Sequence, residues 1–334
     1  MNDQRAAAVS VVIPVFNAGG FLERAVGSVL AQEEVREVLL VEDGSTDDSL
    51  VACERLDAAN PGRVRLLRHE DGANRGAGAS RNLGVRESSS EFVAFLDADD
   101  WMLPGRFSTS LAILEGDAEV DGVYEATEMH FADADAEIDW DWVAVGPRLV
   151  TVEPPDDPES LAEPLMLGRC GFFTTDGILL RKRAFEKAGY FNESLRLGQD
   201  TELWWRMALT CRLLPGSVGA PVAVYRRHAG CRSSAARPGF RNASKELALS
   251  VYRWAKRRGL PSEKVRIARS ALAREVLKCL GCPPAGVALR LQQFLNVLKY
   301  APRCPGILLD AYPWRRLRGA LSGKNAADDA GAGG

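Results

Sequence analysis

Three carboxylates, Asp97, Asp99 and Asp100, fall within four residues at the end of an apolar run, Glu91-Phe-Val-Ala-Phe-Leu-Asp97-Ala-Asp99-Asp100. Phe92 to Leu96 reads as a buried strand whose carboxyl end carries the acids into a crevice. Burying them is costly unless cations or hydrogen-bond donors meet them. Asp97 and Asp99 are two apart, so in an extended segment they point the same way. That spacing suits a divalent metal, which takes hard oxygen ligands. The same residues also describe a solvated loop whose acids cap the following helix, and Asp-x-Asp alone does not decide between the two.

The elements that would position these acids alternate. Val9–Val15 is a β-rich run, followed by Asn17 and two glycines, then a helical apolar stripe from Phe21 to Gln32. Glu37–Glu42 is a second strand, ending at Asp43-Gly-Ser45-Thr46-Asp47, where Ser45 or Thr46 can cap a helix to about Ala59. Arg63–Leu67 is a third strand. Asn74-Arg75-Gly76 through Ser80-Arg81-Asn82-Leu-Gly84 opens another helix. Strand–helix alternation predicts a mainly parallel α/β sheet, which binds ligands at the strands' carboxyl ends, where Asn17, Asp43 and Asp97–Asp100 fall. Further on, Pro104 marks a helix start, residues 121–127 a strand, 128–159 an acidic Pro-rich insertion or hairpin, 158–167 a helix, 177–181 a strand and 184–188 a short helix. Asp200 takes the N-cap place of a helix through Leu209, and Pro221–His228 is a last strand.

Composition bounds the class. The 334 residues, 46% hydrophobic and 26% charged, suit an ordinary globular protein with room for two domains. No apolar run is long enough to cross a bilayer, and the first residues lack a signal-peptide core, so a cytoplasmic location is expected. Seven scattered cysteines fit reduced thiols, and Cys279 and Cys282 read as packing residues. Charge is divided unevenly. Residues 1–221 hold 20 Lys+Arg against 39 Asp+Glu, whereas residues 222–321 hold 21 against 4. The expected organisation is a catalytic domain over 1–235, a basic helical region over 236–321 built from helices at 244–258, 262–281, 284–300 and 305–321, and a disordered tail over 322–334. No GxGxxG follows the first strand, and no GxxxxGK followed by Ser or Thr occurs, which disfavours dinucleotide and P-loop folds.

The ordered set Ile13-Pro14-Val15-Phe16-Asn17, Val41-Glu42-Asp43-Gly44-Ser45-Thr46-Asp47, Asn74-Arg75-Gly76 to Gly84, Leu96-Asp97-Ala98-Asp99-Asp100 and Gly198-Gln199-Asp200-Thr201-Glu202-Leu203 resembles the family 2 glycosyltransferases of GT-A fold. The resemblance covers residues 8–230. It implies an inverting enzyme that uses a divalent metal, Mn²⁺ or Mg²⁺, and a nucleotide-diphosphate sugar, UDP-sugar foremost. The acceptor implied is a hydroxyl of a glycan or of a lipid-linked acceptor. Pro14, Val15, Asn17, Asp43, Arg75, Arg81, Asp97 and Ala98 would then bind the donor, and Asp99 and His228 the metal. Asp43 would accept from a base N–H, or else shape the turn at Gly44. Arg75 and Arg81 would pair with phosphate, or form surface salt bridges.

Asp200 would be the general base, against pure helix capping as the other reading. Many members of the family have Glu-Asp where this chain has Gln199-Asp200, which leaves the aspartate intact. Trp204 and Trp205 stand at helical spacing, suited to a sugar platform or to the core. The basic C-terminal helices would pack against the acidic domain, bind an acidic glycan, or touch an anionic membrane surface, placing the protein peripherally at the inner face. No nucleic-acid recognition motif occurs. A non-catalytic nucleotide-sugar binding or scaffold module of the same fold is the second reading.

Overall fold

The computed structural model describes residues 8–131, 149–227, 237–277, 295–304 and 307. His228, Trp140, Trp142, Cys279, Cys282, the tail over 322–334 and most of the expected helices 284–300 and 305–321 lie outside them. The chain divides into two compact units, Met1–Arg237 and Pro238–Gly334.

In the first unit the elements run β1 (Val9–Val15), α1 (Leu22–Leu30), β2 (Val35–Glu42), α2 (Ser49–Ala59), β3 (Val64–Arg68), α3 (Ala77–Glu87), β4 (Phe92–Phe95), β5 (Trp101–Met102), α4 (Ser108–Gly116), β6 (Gly122–Tyr124), β7 (Thr127–Phe131), β8 (Leu149–Val150), α5 (Ala162–Met166), β9 (Ile178–Arg181), α6 (Arg183–Ala188), α7 (Gln199–Thr210), β10 (Leu213–Pro215) and β11 (Ala223–Arg227). Seven strands form one sheet in the order β10-β6-β9-β4-β1-β2-β3, and β5-β11-β7-β8 form a second. β3, β2, β1 and β4 are mutually parallel. β9 enters antiparallel between β4 and β6. The GT-A-like α/β architecture expected from the motifs is therefore present, with one reversed strand.

β1 is central and buried on both faces, which is why its sequence is a near-continuous apolar run. Val11, Ile13 and Val15 pack with Leu22 and Val26 of α1. Val12 faces the other way, against α3, where Gly84 leaves room for its two methyl groups. Behind β4, Phe95 meets Phe185, Phe191 and Trp204 at centroid distances of 6.3, 5.4 and 6.4 Å. Trp204 and Trp205 are both buried, so they belong to the core and not to a sugar platform.

Several local expectations are corrected. Ser45 and Thr46 do not cap α2; it starts at Ser49, and they serve the Asn17 loop instead. Pro104 lies in a turn before α4, which starts at Ser108. The expected strand 121–127 breaks after Tyr124, because Ala126 N–H is taken by Ser217 O and the chain crosses to the second sheet. The expected helix 158–167 is a 3-10 turn, Pro158–Ser160, followed by α5. In the second unit, α8 (Arg237–Arg257) and α9 (Ser262–Leu277) bury Leu247, Val251, Ile267, Ala271 and Leu272. Among the described residues no helix is long and apolar enough to cross a membrane.

The contact of α3 with β1 is tight enough to test. A Val at Gly84 would overlap the Val12 side chain. Overpacking costs typically ~1–3 kcal/mol. Gly84→Val should therefore lower the urea unfolding free energy by about 3 kcal/mol, since β-branching in a helix adds to the overlap. Gly20→Ala, where a Cβ meets nothing, should leave it unchanged.

Candidate active site

The carboxyl ends of β1, β2 and β4 meet at one edge of the sheet, and each delivers polar groups. After β1, Asn17 adopts φ +50, the one described non-glycine residue with positive φ. That conformation lets its Oδ1 accept Thr46 N–H at 2.8 Å while its own N–H donates to Ser45 Oγ at 3.1 Å. Asn17 is thus a clip between the β1–α1 and β2–α2 loops. Pro14 is half-buried, while Val15 and Ala98 are buried in the hydrophobic core.

Asp43, after β2, is 2% exposed, and backbone amides take both of its oxygens. Oδ1 accepts Arg75 N–H at 2.7 Å and Oδ2 accepts Gly76 N–H at 2.9 Å. The carboxylate therefore fixes the loop that starts α3, where Gly76 needs φ +90. Gly44 beside it has φ +72 and leaves Asn74 N and Gly72 O no room for a side chain. Arg75 is exposed and pairs with Asp71 at 2.8 Å.

Asp97–Asp100 is a turn, not the extended segment expected, since Asp100 N–H donates to Asp97 O at 3.0 Å. Asp97 and Asp99 remain partly exposed, while Asp100 is buried. Asp97, Asp100 and Asp176 form a carboxylate triad whose nearest oxygens lie within 4.8 Å of one another; Asp99 is not one of the three. Asp176 Oδ1 accepts Asp97 N–H at 3.0 Å, and Asp100 Oδ1 accepts Arg226 N–H at 2.6 Å. Among the described residues no donor reaches Asp100 Oδ2.

Asp176 was not foreseen. It precedes β9, and only the antiparallel entry of β9 brings that amino end to the edge where the parallel strands end. Arg106, fully buried and also unforeseen, holds it from below. Its Nε donates to Asp176 O at 3.1 Å and its Nη1 to Glu125 Oε2 at 2.5 Å.

Arg81 is the cation at the centre of the cluster. It is 6% exposed, its Nη2 pairs with Asp97, and its Nε has no acceptor. Burial opposes its charge, yet Asp97, Asp200 and Asp176 outweigh that and raise its pKa. Asp200 reaches this neighbourhood because α7 begins against α3, with the Gln199 side chain 2.8–2.9 Å from where a Cβ on Gly78 would lie. Asp200 is not the N-cap; left-handed Gly198 is, and Asp200 Oδ1 accepts Thr201 N–H at 2.8 Å within the first turn.

One guanidinium does not neutralise the buried acids. Burial, and then the charges of Asp176, Asp99 and Asp97, push the Asp100 carboxyl well up. Burial and the Asp97 charge raise Asp176 to about 7. The chemistry on offer is a hard-oxygen cation site beside a second carboxylate, Asp200, with Arg81 between them.

The family model described as Glycosyl transferase family 2 matches residues 10–189, more than half of the chain. The succinoglycan biosynthesis protein ExoU of Rhizobium meliloti (strain 1021) is 34% identical over 199 residues, covering 59% of this chain and 56% of ExoU. The chain thus matches about half the length of that relative. Among solved structures, S. aureus TarS 1–349 in complex with UDP-GlcNAc superposes with a TM-score of 0.65 at 18% identity, covering 94% of this chain and 87% of that one. The mannosyltransferase PcManGT from Pyrobaculum calidifontis, in complex with GDP-Man and Mn²⁺, does so at 0.53 and 18%, covering 95% and 88%. At these identities the structural likeness establishes the fold.

The Asp176 carboxyl predicts a pH dependence. Its folded pKa, about 7, lies above the unfolded value. The stabilisation linked to its proton is therefore full below pH ~4 and is lost as pH rises through about 7. Urea melts across pH ~4–7 should show the wild type losing up to about 1.4 kcal/mol per pH unit relative to Asp176→Asn. Parallel profiles for the two proteins would contradict the assignment.

Proposed function

Because the chain belongs to glycosyl transferase family 2, we propose that it moves a sugar from a nucleotide-diphosphate donor, UDP-sugar foremost, to a hydroxyl of a glycan or lipid-linked acceptor, with inversion. The observation that carries this reading is the grouping of the Asp97, Asp100 and Asp176 carboxylates within 4.8 Å of one another at the edge where β1, β2 and β4 end, with Arg81 paired to Asp97 beside them. The Asp200 charge also acts on Arg81. The succinoglycan role in ExoU's name supports a glycan product and a place in polysaccharide biosynthesis.

Asp200 takes the proton of the acceptor hydroxyl as that oxygen attacks the anomeric carbon opposite the diphosphate. Its short reach from the α7 amino terminus keeps the carboxylate directed by the Thr201 amide. Arg81 holds Asp97 in place and shields it from Asp200. Asp43 orders the Arg75–Gly76 loop, so that base recognition falls to the edge that Asp43, Pro14 and Asn17 share.

The residues present fit a hard divalent cation. The described acids that gather here offer carboxylate oxygens, and among the described residues no donor reaches the buried Asp100 Oδ2. Asp99, with His228, would hold Mn²⁺ or Mg²⁺, and Asp97 would contact the donor's ribose or the metal's water shell. When bound, the metal would neutralise charge developing on the leaving diphosphate. The basic region from residue 236 would meet an anionic membrane surface, keeping the protein peripheral at the inner face.

Donor turnover tests the reading. With Mn²⁺ and a panel of UDP- and GDP-sugars, the wild type should release nucleoside diphosphate from at least one donor. Asp200→Asn should lower kcat by about 10²–10⁴-fold while donor affinity holds, the loss typical of a missing general base. Donor binding without turnover on any acceptor would favour the scaffold reading, and near-normal turnover by Asp200→Asn would remove its role as base.

A further inference from the structure

Beside the carboxylate turn, one surface gathers positive charge. In the second sheet Trp101 pairs with Val224, and Arg226 with His130, so Trp101, Arg226 and His130 share a face. α1 lays Arg24 on the same indole. The guanidinium carbon of Arg24 is 3.3 Å from the Trp101 ring centroid, and that of Arg226 is 5.1 Å from it and 5.0 Å from Phe21. His130 meets the Trp101 ring at 5.5 Å, edge-on.

Two like charges therefore flank one ring. Burial lowers the Arg24 pKa, and the Arg226 charge lowers it further. The ring faces attract both cations and offset part of their repulsion. Among the described residues Arg24 forms no ion pair, and neither does Glu128, which lies on the same sheet face. An arrangement that holds two guanidinium forks together with no acid closing on Arg24 matches the recognition of an oxyanion.

Its position says which end of a reaction it serves. Arg226 N–H binds the Asp100 carboxylate, and Trp101 follows Asp100 directly, so the surface adjoins the turn. It lies on the α1 side of the sheet. Asp200 lies on the α3 side, where Gln199 packs on Gly78. In an inverting displacement the leaving group departs away from the base.

We propose that Arg24, Arg226 and Trp101 form a subsite for a phosphate-type oxyanion, supplied by the donor's diphosphate or by an anionic group on the acceptor. The choice of source rests on the transferase reading; the subsite itself does not. Its place on the side away from Asp200 favours the diphosphate.

Calorimetry on the full chain with Mn²⁺ tests this with three anions: pyrophosphate, UDP and glycerol phosphate. Arg24→Gln and Arg226→Gln should each weaken pyrophosphate about tenfold or more, with melting temperatures unchanged. Arg24 is exposed on α1, so Arg24→Gln decides alone if the other variant folds poorly. A matching loss for UDP assigns the subsite to the diphosphate. A loss for glycerol phosphate with UDP affinity kept assigns it to an anionic acceptor. If the variants bind all three anions as the wild type does, or the wild type binds none, the subsite is refuted. Undiminished UDP binding by the variants would leave the transferase reading standing. Pyrophosphate binding that depends on Arg24, in a protein that binds no nucleotide, would do the reverse.

Discussion

More negative charge reaches the carboxyl edge of this sheet than the described donors there neutralise, and the arrangement around it follows from that imbalance. Buried carboxylates must find hydrogen bonds, cations or protons. Asp43 solves the problem with two backbone amides and in doing so anchors the start of α3. Asp97 takes Arg81. Asp100 and Asp176 find too few donors, and their carboxyls are pushed toward the neutral form. Asp97 and Asp99, by contrast, are the half-exposed acids of the turn.

The supports of this edge lie below it and are buried. Arg106 is fully buried, and its guanidinium ties Asp176 to Glu125. Removing one member of such a pair leaves an uncompensated buried charge, which is strongly destabilising. Gly177 lets the chain pass against Glu125 O, where a side chain would collide. The aromatic cluster of Phe95, Phe191 and Trp204 fixes the distance between β4 and α7, and with it the separation of the turn from Asp200. Structure below the edge thus sets the geometry on it.

Much of this was legible in the residues. β1, β2 and β4 are buried on both faces, so they appear as continuous apolar runs, and the polar residues ending them mark the edge. The ordered motifs imply that Asp97, Asp99 and Asp200 share one site; the structure pairs Asp97 with Arg81 and clusters it with Asp100 and Asp176. Contacts distant in sequence were not legible. The amides that occupy Asp43 come from residues 32 and 33 positions later. Asp176 ends up in the cluster through the reversed direction of β9, which no local pattern announces. The Asp97–Asp100 turn replaced an extended segment because the Asp100 amide closes back on Asp97. Capping was misplaced at Ser45 and Thr46 because a tertiary partner, Asn17, takes them, and at Asp200 because the left-handed Gly198 starts the helix two residues earlier.

The proposed transferase function requires that the edge bind a divalent cation together with a nucleoside diphosphate. Titration of Mn²⁺ followed by electron paramagnetic resonance of the free ion, with and without UDP or GDP, measures this directly. The account predicts that one nucleotide tightens Mn²⁺ binding about tenfold or more, reciprocally with its own affinity, and that Asp99→Ala abolishes the coupling. Equal Mn²⁺ affinity with and without either nucleotide, or coupling that survives Asp99→Ala, would contradict it.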